Sequence, residues 1–255
     1  MNNAGILVTP GPTEWTPLSA FRRMYDVNVL GTVAVTQAVL PLVRCARGRI
    51  VNVASIAGRF GLPSQPAYCA SKYAVEAVSD ILRREMLAWG VSVHIIEPGV
   101  FPNTGLYDTF RADLDTLWAN LTPELRKDYG QAYFESFRKQ IDTALVEMGT
   151  ADSSLVPKAM LHALTSDAPE YRYRVGPDSK YLITLLTHLH ESTQDAIMTM
   201  DVPGRPKKVA PAAAPAGARA AAMARMPSGW GRWILLGTAI ASLYARGNLR
   251  LRSRV

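Results

Sequence analysis

Tyr68 and Lys72 stand four residues apart in the run Tyr68-Cys69-Ala70-Ser71-Lys72. On a helix this spacing places a phenol and an ammonium on the same face. A phenol titrates near about 10 and is a poor base at neutral pH, but a neighbouring cation and a nearby helix N-terminus favour the phenolate. The pair is therefore a candidate general acid and base, although solvent-exposed helix faces carry the same spacing.

Ser55 lies thirteen residues before Tyr68, at the end of the β-branched run 50–53, which predicts a buried strand. Open α/β sheets bind ligands at the carboxyl edge, where such a strand delivers its last residues. Residues 57–63 are rich in glycine and proline and therefore predict a loop that brings Ser55 back to the helix beginning near Tyr68. Ser55, the loop that follows it and the helix that carries Tyr68 together form a candidate site.

The elements that must position these residues alternate between helix and strand, as an α/β layered fold requires. The predicted helices are residues 19–42, 68–89 and 156–164, and the predicted strands are residues 50–55, 91–97 and 171–175. Pro41 falls where a proline is expected to end the first helix. Residues 101–148 are helical but interrupted, and their apolar face either covers a substrate or packs as core; both interpretations are open.

The charge of the chain is concentrated at one end. Of its 255 residues, 48% are hydrophobic, which is enough for one domain with a substantial core. Residues 205–255 contain ten Lys or Arg and no acid, which leaves 18 basic and 21 acidic residues in the remainder. The basic character therefore belongs to a tail and gives no reason to expect nucleic-acid binding. Cys45 and Cys69 are too few for a disulfide framework.

The histidines do not indicate a metal site. His94 and His162 lie inside predicted elements, and His188 and His190 are two residues apart, a spacing that does not bring two side chains to one helix face. We therefore predict no metal.

The tail has two parts. Residues 204–229 are rich in alanine, proline and arginine, which is typical of a linker or a disordered segment. Residues 233–245 are apolar but fall short of the roughly 20 residues that a membrane-spanning helix needs. Flanking tryptophan and arginine favour a segment on an anionic membrane surface, with an extension of no fixed structure as the alternative. We therefore predict three segments: a folded domain of residues 1–203, an alanine- and proline-rich linker of residues 204–229, and a basic, apolar tail of residues 230–255.

The chain resembles the classical short-chain dehydrogenase/reductase family over residues 2 to about 201. The motifs that carry the resemblance, in the family's order and spacing, are Asn2-Asn3-Ala4-Gly5, Val27-Asn28-Val29-Leu30-Gly31, the Ser55 strand, the Tyr68 and Lys72 pair, and Glu97-Pro98-Gly99. Residues 47–52 and 71–80 look like the branch of retinol, 17β-hydroxysteroid and D-3-hydroxybutyrate dehydrogenases, and residues 123–130 are similar to the 3-hydroxybutyrate members.

The resemblance implies an α/β fold with a Rossmann-like, doubly wound parallel sheet. Members begin with a strand and a Thr-Gly-x-x-x-Gly-x-Gly turn, whose helix N-terminus receives the cofactor pyrophosphate. This sequence contains no such turn. We therefore expect an N-terminally truncated, partial sheet that lacks its first βαβ units, with apolar faces exposed where the missing half would pack, followed by the C-terminal basic tail.

The resemblance also implies roles for single residues. Tyr68 exchanges the proton of the substrate oxygen, which Ser55 holds. Lys72 stabilises the tyrosinate and binds the nicotinamide ribose, while Asn28 anchors a water that relays the proton. The implied cofactor-binding residues are Asn3, Ala4, Gly5, Tyr68, Lys72, Pro98, Gly99, Val100 and Thr104. From the residues alone, Ser55 could instead cap the strand end and Asn28 could be solvated, and Thr104 is one position from the commoner spacing.

The function implied is an NAD(P)-dependent oxidoreductase that interconverts an alcohol and its carbonyl, of retinol, hydroxysteroid or 3-hydroxybutyrate type, with NAD favoured over NADP. The alternative is a non-catalytic fragment or pseudoenzyme that acts by binding a partner. The implied partners are a small-molecule alcohol or ketone, a second copy of the chain in a homo-oligomer, and a membrane surface at the tail. The implied location is an endoplasmic reticulum or mitochondrial membrane.

Overall fold

The structure is a computed structural model that describes residues 1–8, 10–107, 110–147 and 149–198. The described residues lie within one compact unit of the chain. The linker and membrane-surface segment predicted for residues 204–255 lie outside the described residues, so these two assignments stay predictions.

The described residues contain one parallel sheet of three strands, in the order β1 (Arg49–Val53), β2 (Ser92–Pro98) and β3 (Arg172–Val175). At the other edge of β1, Asn2 forms an isolated parallel bridge with Asn52. All three strands agree with the sequence prediction, because runs of β-branched and apolar residues are typical of parallel strands that are buried on both faces.

Helices cover both faces of this sheet. On one face Ile50 and Val93 pack with Leu82 and Met86 of the long helix after β1. On the other face the neighbouring strand positions pack against the helix that precedes β3, in a cluster of Val51, Ile96, Phe101, Ala163, Tyr173 and Val175. Successive residues of a strand point to opposite faces, so one apolar run supplies both clusters. The fold is the α/β, doubly wound arrangement predicted from the sequence.

The helices of the described residues are α1 (Leu18–Met24), α2 (Thr32–Cys45), α3 (Pro66–Met86), α4 (Phe110–Ala119), α5 (Pro123–Tyr129), α6 (Gln131–Glu147), α7 (Leu155–Thr165), α8 (Thr184–Leu186) and α9 (Glu191–Met198). Short 3₁₀ turns occupy Ile56–Gly58, Leu87–Trp89 and Gly105–Tyr107, and π-helical stretches occupy Tyr25–Gly31 and Asp178–Ile183. The prediction that Pro41 ends its helix is wrong, because α2 continues to Cys45. Leu40 and Val43 pack on the sheet cluster, and this packing outweighs the hydrogen bond that a proline removes.

Leu18–Cys45 forms one continuous helix of 28 residues, with a mean hydropathy of 1.5 in its most apolar window, and is long and apolar enough to cross a membrane. Core helices of soluble proteins meet the same criteria. Here Met24 and Asn28 are buried, and the first half of the helix, Leu18 to Gly31, contacts α3, while the second half contacts β1. Several of its apolar side chains are nevertheless exposed, among them Leu30, Val35, Val39 and Leu42.

Helices α4, α5 and α6 form a layer with its own aromatic core, centred on Trp15 from the loop before α1. The Trp15 ring lies 5.1–5.9 Å, between ring centroids, from the rings of four aromatic residues of these helices, namely Trp118, Tyr129, Tyr133 and Phe137. The apolar face predicted for residues 101–148 therefore packs as a core around this tryptophan. We call α4–α6 the helical cover.

Candidate active site

The candidate residues gather at the carboxyl edge of the sheet. Ser55 follows the end of β1, Gly99 follows the end of β2, and Tyr68 stands in the first turn of α3. Pro66 at the first position of α3 suits a helix start, because its missing N–H has no partner there in any helix. The fold thus brings Ser55, Tyr68 and Lys72 together, as the sequence predicts.

Ser55 has an extended backbone and begins the 3₁₀ turn Ile56–Gly58. Its Oγ accepts a hydrogen bond of 3.2 Å from the N–H of Ala57, so the capping role weighed from the sequence is present. The same side chain hydrogen-bonds to Tyr68. The hydrogen bond from Ala57 holds the Ser55 hydroxyl next to the phenol of Tyr68. Ser55 can therefore cap the turn and contact Tyr68 at the same time.

Lys72 lies beside Tyr68 on the same face of α3, with its Nζ 5.7 Å from the centre of the Tyr68 ring. The buried ammonium donates a 3.0 Å hydrogen bond to the carbonyl oxygen of Val53, the last residue of β1. The helix carrying Tyr68 is in this way fixed to the strand that leads to Ser55.

The electrostatics differ from the sequence expectation that Lys72 favours the phenolate. Burial raises the pKa of Tyr68 above its ordinary value, and the hydrogen bond with Ser55 lowers this pKa by less. Burial also lowers the pKa of Lys72 to about 8, although the nearby Glu76 acts to raise it. Desolvation disfavours both charged forms, so the neutral phenol is the stable form of Tyr68 in this structure.

Asn28 is 1% exposed and lies in the π-helical stretch between α1 and α2. Its Oδ1 accepts from the Ile6 N–H at 2.8 Å, and its Nδ2 donates to the Ile6 carbonyl at 3.0 Å and to Ser71 Oγ at 3.0 Å. The solvated role weighed for this residue is therefore wrong, because the amide fastens the N-terminal segment to α3. Single π-turns within helices are frequent at functional sites.

The exposed residues Asn3, Ala4 and Gly5 lie between two fastened points. Before them, Asn2 donates its N–H to the Val51 carbonyl at 2.8 Å and so extends the sheet. After them, Ile6 is held by Asn28. A Cβ at Gly5 would lie 3.5 Å from Lys72 Nζ, so this segment passes directly over the ammonium.

The segment Pro98–Val100 leaves the end of β2 at the same edge. Thr104 follows in the next turn and donates its hydroxyl hydrogen to the Phe101 carbonyl at 2.9 Å. The cofactor-binding role of Thr104 stays a prediction.

A cluster of charges, in which Glu76 and Glu97 are buried, lies next to Lys72 and was not predicted from the sequence. Arg172 forms ion pairs with Glu76, with Glu97 at 2.9 Å and with Asp80 at 2.6 Å. Burial and the neighbouring Glu97 raise the pKa of Glu76 to about 7, more than Arg172 lowers it. The signal that could have revealed the cluster is Glu97, an acid at the end of an otherwise apolar buried strand.

Two further residues near the site were not predicted. Burial and the negative charge of Asp178 raise the pKa of Tyr107 to about 12. Tyr107 in turn acts to raise the pKa of Tyr68, so the two phenols lie close together. Asp178 directly follows Gly176 and Pro177 at the end of β3, and a turn at the carboxyl end of a strand could have indicated it. No sequence signal marks Tyr107.

A cleft of about 610 Å³ lies between the Gly5–Val8 segment and the helical cover, and its volume falls in the range of small-molecule sites. Its lining includes Ile6, Leu7, Leu106, Leu117 and Arg23. The Gly5 end of the cleft adjoins Lys72 Nζ. A second hollow of about 680 Å³ runs along β3. Neither hollow is lined by Ser55, Tyr68 or Lys72 themselves.

The site residues fit the nicotinamide end of a dinucleotide. A buried ammonium lies beneath the backbone of Gly5, with the phenol of Tyr68 beside it, at the sheet edge where such cofactors bind. Lys72, Tyr68 and the Asn3–Gly5 and Pro98–Val100 segments are the residues that would hold it. Within the described residues, no group of three or more His, Cys, Asp or Glu side chains is placed to hold a metal ion.

Comparison with known proteins gives matches over most of the described chain. Residues 1–115 match the model of the short chain dehydrogenase family. Retinol dehydrogenase 7 of Rattus norvegicus is 45% identical over 199 residues, which cover 78% of this chain and 62% of that protein. The 17-beta-hydroxysteroid dehydrogenase type 6 of Homo sapiens is 41% identical over 205 residues, or 80% of this chain and 64% of that protein. The chain thus spans less than two thirds of the length of these relatives.

One solved structure shows the same fold. It is a short-chain dehydrogenase/reductase of Burkholderia phymatum in complex with NAD, with a TM-score of 0.56 and 20% identity, over 84% of this chain and 69% of that one.

Proposed function

The chain belongs to the short-chain dehydrogenase family, in the branch of the retinol and hydroxysteroid dehydrogenases, and from this we propose that it catalyses the NAD(P)-dependent interconversion of an alcohol and its carbonyl compound. The observation that carries the proposal is the assembly of Ser55, Tyr68 and Lys72 at the carboxyl edge of the sheet. Asn28 supports it by fixing the segment that covers Lys72.

A bound nicotinamide supplies the hydride acceptor for alcohol oxidation and the hydride donor for carbonyl reduction. The hydroxyl of Ser55 holds the substrate oxygen next to Tyr68. During reduction Tyr68 donates its proton to that oxygen, which suits a phenol whose pKa is raised by burial. During oxidation Tyr68 must first lose its proton, which burial of the phenol opposes, and Lys72, with its Nζ 5.7 Å from the centre of the ring, is the neighbouring cation. A proton relay through a water at Asn28 stays a prediction, since the amide of this residue binds Ile6 and Ser71 in this structure.

We propose a lipophilic alcohol of the retinol or hydroxysteroid type as the substrate. The cleft beside Lys72 is lined by Ile6, Leu7, Leu106 and Leu117, and these apolar side chains suit a long apolar substrate. A small hydroxy acid such as 3-hydroxybutyrate is the second candidate, because Arg23 lines the same cleft and a cation is what its carboxylate needs. NAD is the proposed cofactor, with NADP as the alternative. A homo-oligomer and membrane binding through the tail stay predictions.

The proposal is tested by titrating NADH and NADPH into the 255-residue chain, and into any longer natural form of it, while nicotinamide fluorescence is followed. Oxidation of retinol, of a hydroxysteroid and of 3-hydroxybutyrate is then measured with the nucleotide that binds. Saturable binding and turnover of one alcohol class support the proposal. Absence of nucleotide binding in every form would favour the non-catalytic alternative.

Tyr68→Phe is the decisive variant, with Tyr73→Phe on the exposed side of the same helix as its matched control. Tyr68→Phe removes only the hydroxyl, so we expect turnover to fall by at least about a hundredfold while folding is retained. Tyr73→Phe should leave turnover unchanged. Full turnover in Tyr68→Phe would contradict the mechanism.

A further inference from the structure

The backbone between Glu97 and Val100 is held at several points as it leaves β2. The Gly99 N–H donates to the Val175 carbonyl at 2.8 Å, and the Val100 carbonyl accepts from the Thr150 N–H at 2.8 Å. These contacts fix the segment that the proposed function places against the nicotinamide. Two side chains that follow β3 add further contacts.

Ser179 and Asp178 supply those side-chain contacts. Ser179 Oγ donates to the Glu97 carbonyl at 2.8 Å, and Asp178 Oδ2 accepts from the Val100 N–H at 2.7 Å. A hydrogen bond to an ionised carboxylate is about twice as strong as a neutral one. The turn after β3 therefore fixes both ends of the Glu97–Val100 segment.

Two glycines make room for the Asp178 carboxylate. A Cβ at Gly99 would overlap the carboxylate, and a Cβ at Gly176 would lie 2.6 Å from its Oδ1. Gly176 also has a φ of 98°, a conformation that other residues adopt only with strain. The close approach of Asp178 to the backbone of Gly99 therefore depends on both residues being glycine.

Asp178 carries a cost that packing alone does not explain. The residue is 7% exposed, and its Oδ1 has no hydrogen-bond partner among the described residues. A buried oxygen without a partner costs on the order of 1–3 kcal/mol. One oxygen thus holds the Val100 N–H while the other is left unpaired, and a buried polar group without a partner calls for an explanation beyond packing.

We propose that Asp178 is a positioning residue, which sets the backbone of Gly99 and Val100 so that the nicotinamide end of the cofactor is presented to Tyr68. The inference rests on the proposed function and extends it to a residue that was not among those predicted from the sequence. Asp178 acts through the backbone of Val100, because its carboxylate hydrogen-bonds to that N–H.

The test compares two nucleotides that differ only in the nicotinamide. Asp178→Ala should weaken NADH binding by on the order of tenfold, the value of one charge-assisted hydrogen bond, and leave ADP-ribose binding unchanged, because ADP-ribose has no nicotinamide. Asp178→Asn retains an oxygen that can accept from Val100 and should recover most of the NADH affinity. Asp167→Ala, at an exposed position before β3, is the control and should bind both nucleotides as wild type does.

Amide hydrogen exchange in the absence of nucleotide gives an independent readout. Exchange at residues 97–100 should be faster in Asp178→Ala than in wild type and close to wild type in Asp178→Asn. An unchanged ratio of NADH to ADP-ribose affinity in Asp178→Ala, while wild type binds both, overturns the role of Asp178 alone. If wild type binds neither nucleotide, the proposed function fails and the positioning role fails with it.

Discussion

Asn28 holds the backbone of Ile6 by two hydrogen bonds, accepting from its N–H at 2.8 Å and donating to its carbonyl at 3.0 Å. This is the pairing that a neighbouring strand would offer, supplied here by one amide side chain. Because Gly5 precedes Ile6 and lies over Lys72, the pairing determines how closely the N-terminal segment covers the ammonium.

Asn28→Ala should therefore destabilise the fold by about 1–3 kcal/mol, because both polar groups of Ile6 lose their partner. Asn28→Asp keeps the acceptor for the Ile6 N–H but loses the donor. The two variants are compared with wild type by urea unfolding and by amide exchange at Ile6. Asn103→Ala, at an exposed position, is the control. Wild-type stability and wild-type exchange at Ile6 in Asn28→Ala would contradict the pairing.

Trp15 joins the loop before α1 to the helical cover through four aromatic contacts. Trp15→Ala should cost about 3–5 kcal/mol, as removal of a buried tryptophan does in other cores. The loss should be confined to the cover, since the sheet clusters do not include this ring. Amide exchange should accelerate in α4, α5 and α6 and stay slow in β1 and β2.

Trp89→Ala is the control for this variant, because Trp89 is 52% exposed and contacts Arg44 at the surface. It should leave exchange in the cover unchanged. Uniformly faster exchange in the cover and the sheet of Trp15→Ala would show instead that the two layers unfold as one unit.

The sequence predicts the elements whose apolar pattern is regular. The strands expected at residues 50–55, 91–97 and 171–175 lie within two residues of the observed bounds of β1, β2 and β3. Pro41 is the exception, because packing of neighbouring residues on the sheet is a tertiary effect that no local rule includes. The short elements after β3 were not predicted, since 3 to 8 residues give too little periodicity.

The site shows the same division between local pattern and tertiary contact. Spacing brings Tyr68 and Lys72 to one face of α3, and this depends only on helical geometry. The pKa of Tyr68 depends on burial by residues distant in sequence, so the expected phenolate is not the favoured form here. Asp178 lies 78 residues from Val100, and their contact depends on the parallel pairing of β2 with β3.

Glu76 makes the stability of the fold depend on pH. Burial and Glu97 raise its pKa to about 7 in the folded state, while in the unfolded chain it titrates near about 4.3. The folded state therefore binds more protons than the unfolded state between these values, and the stability due to Glu76 is lost as pH rises through 7. Urea unfolding at pH 5 and pH 7.5 should show wild type losing stability relative to Glu76→Gln.

Glu85→Gln is the control for Glu76, because Glu85 is exposed on the same helix α3. The difference in stability between the Glu85→Gln variant and wild type should be the same at pH 5 and at pH 7.5. A pH-independent difference between wild type and Glu76→Gln would mean that the ion pair with Arg172 keeps Glu76 ionised throughout.

The two directions of the proposed reaction should respond differently to pH. Burial raises the pKa of Tyr68, so the phenolate that oxidation needs is scarce at pH 7 and becomes more abundant as pH rises. Initial rates of alcohol oxidation should increase between pH 7 and pH 9.5, and rates of carbonyl reduction should not. Parallel pH profiles in both directions would show that proton transfer at Tyr68 does not limit turnover.

Gly58 determines how closely the turn after Ser55 packs on the helix that carries Tyr68. A Cβ at Gly58 would lie 2.8 Å from the Lys72 carbonyl oxygen and 2.8 Å from Glu76 Cγ. Gly58→Ala must therefore move the Ile56–Gly58 turn away from α3, and Ser55, whose Oγ caps that turn, moves with it. We expect a loss of about 1–3 kcal/mol from overpacking, together with a fall in kcat.

Gly61→Ala isolates this effect, because a Cβ at Gly61 meets nothing within 4 Å. Neither glycine has a positive φ, so both substitutions leave the backbone in a conformation that alanine adopts freely. The two variants then differ only in the contact with α3. Gly61→Ala should match wild type in urea unfolding and in turnover. Equal activity of Gly58→Ala and Gly61→Ala would mean that Ser55 can shift with its turn without losing its hydrogen bond to Tyr68.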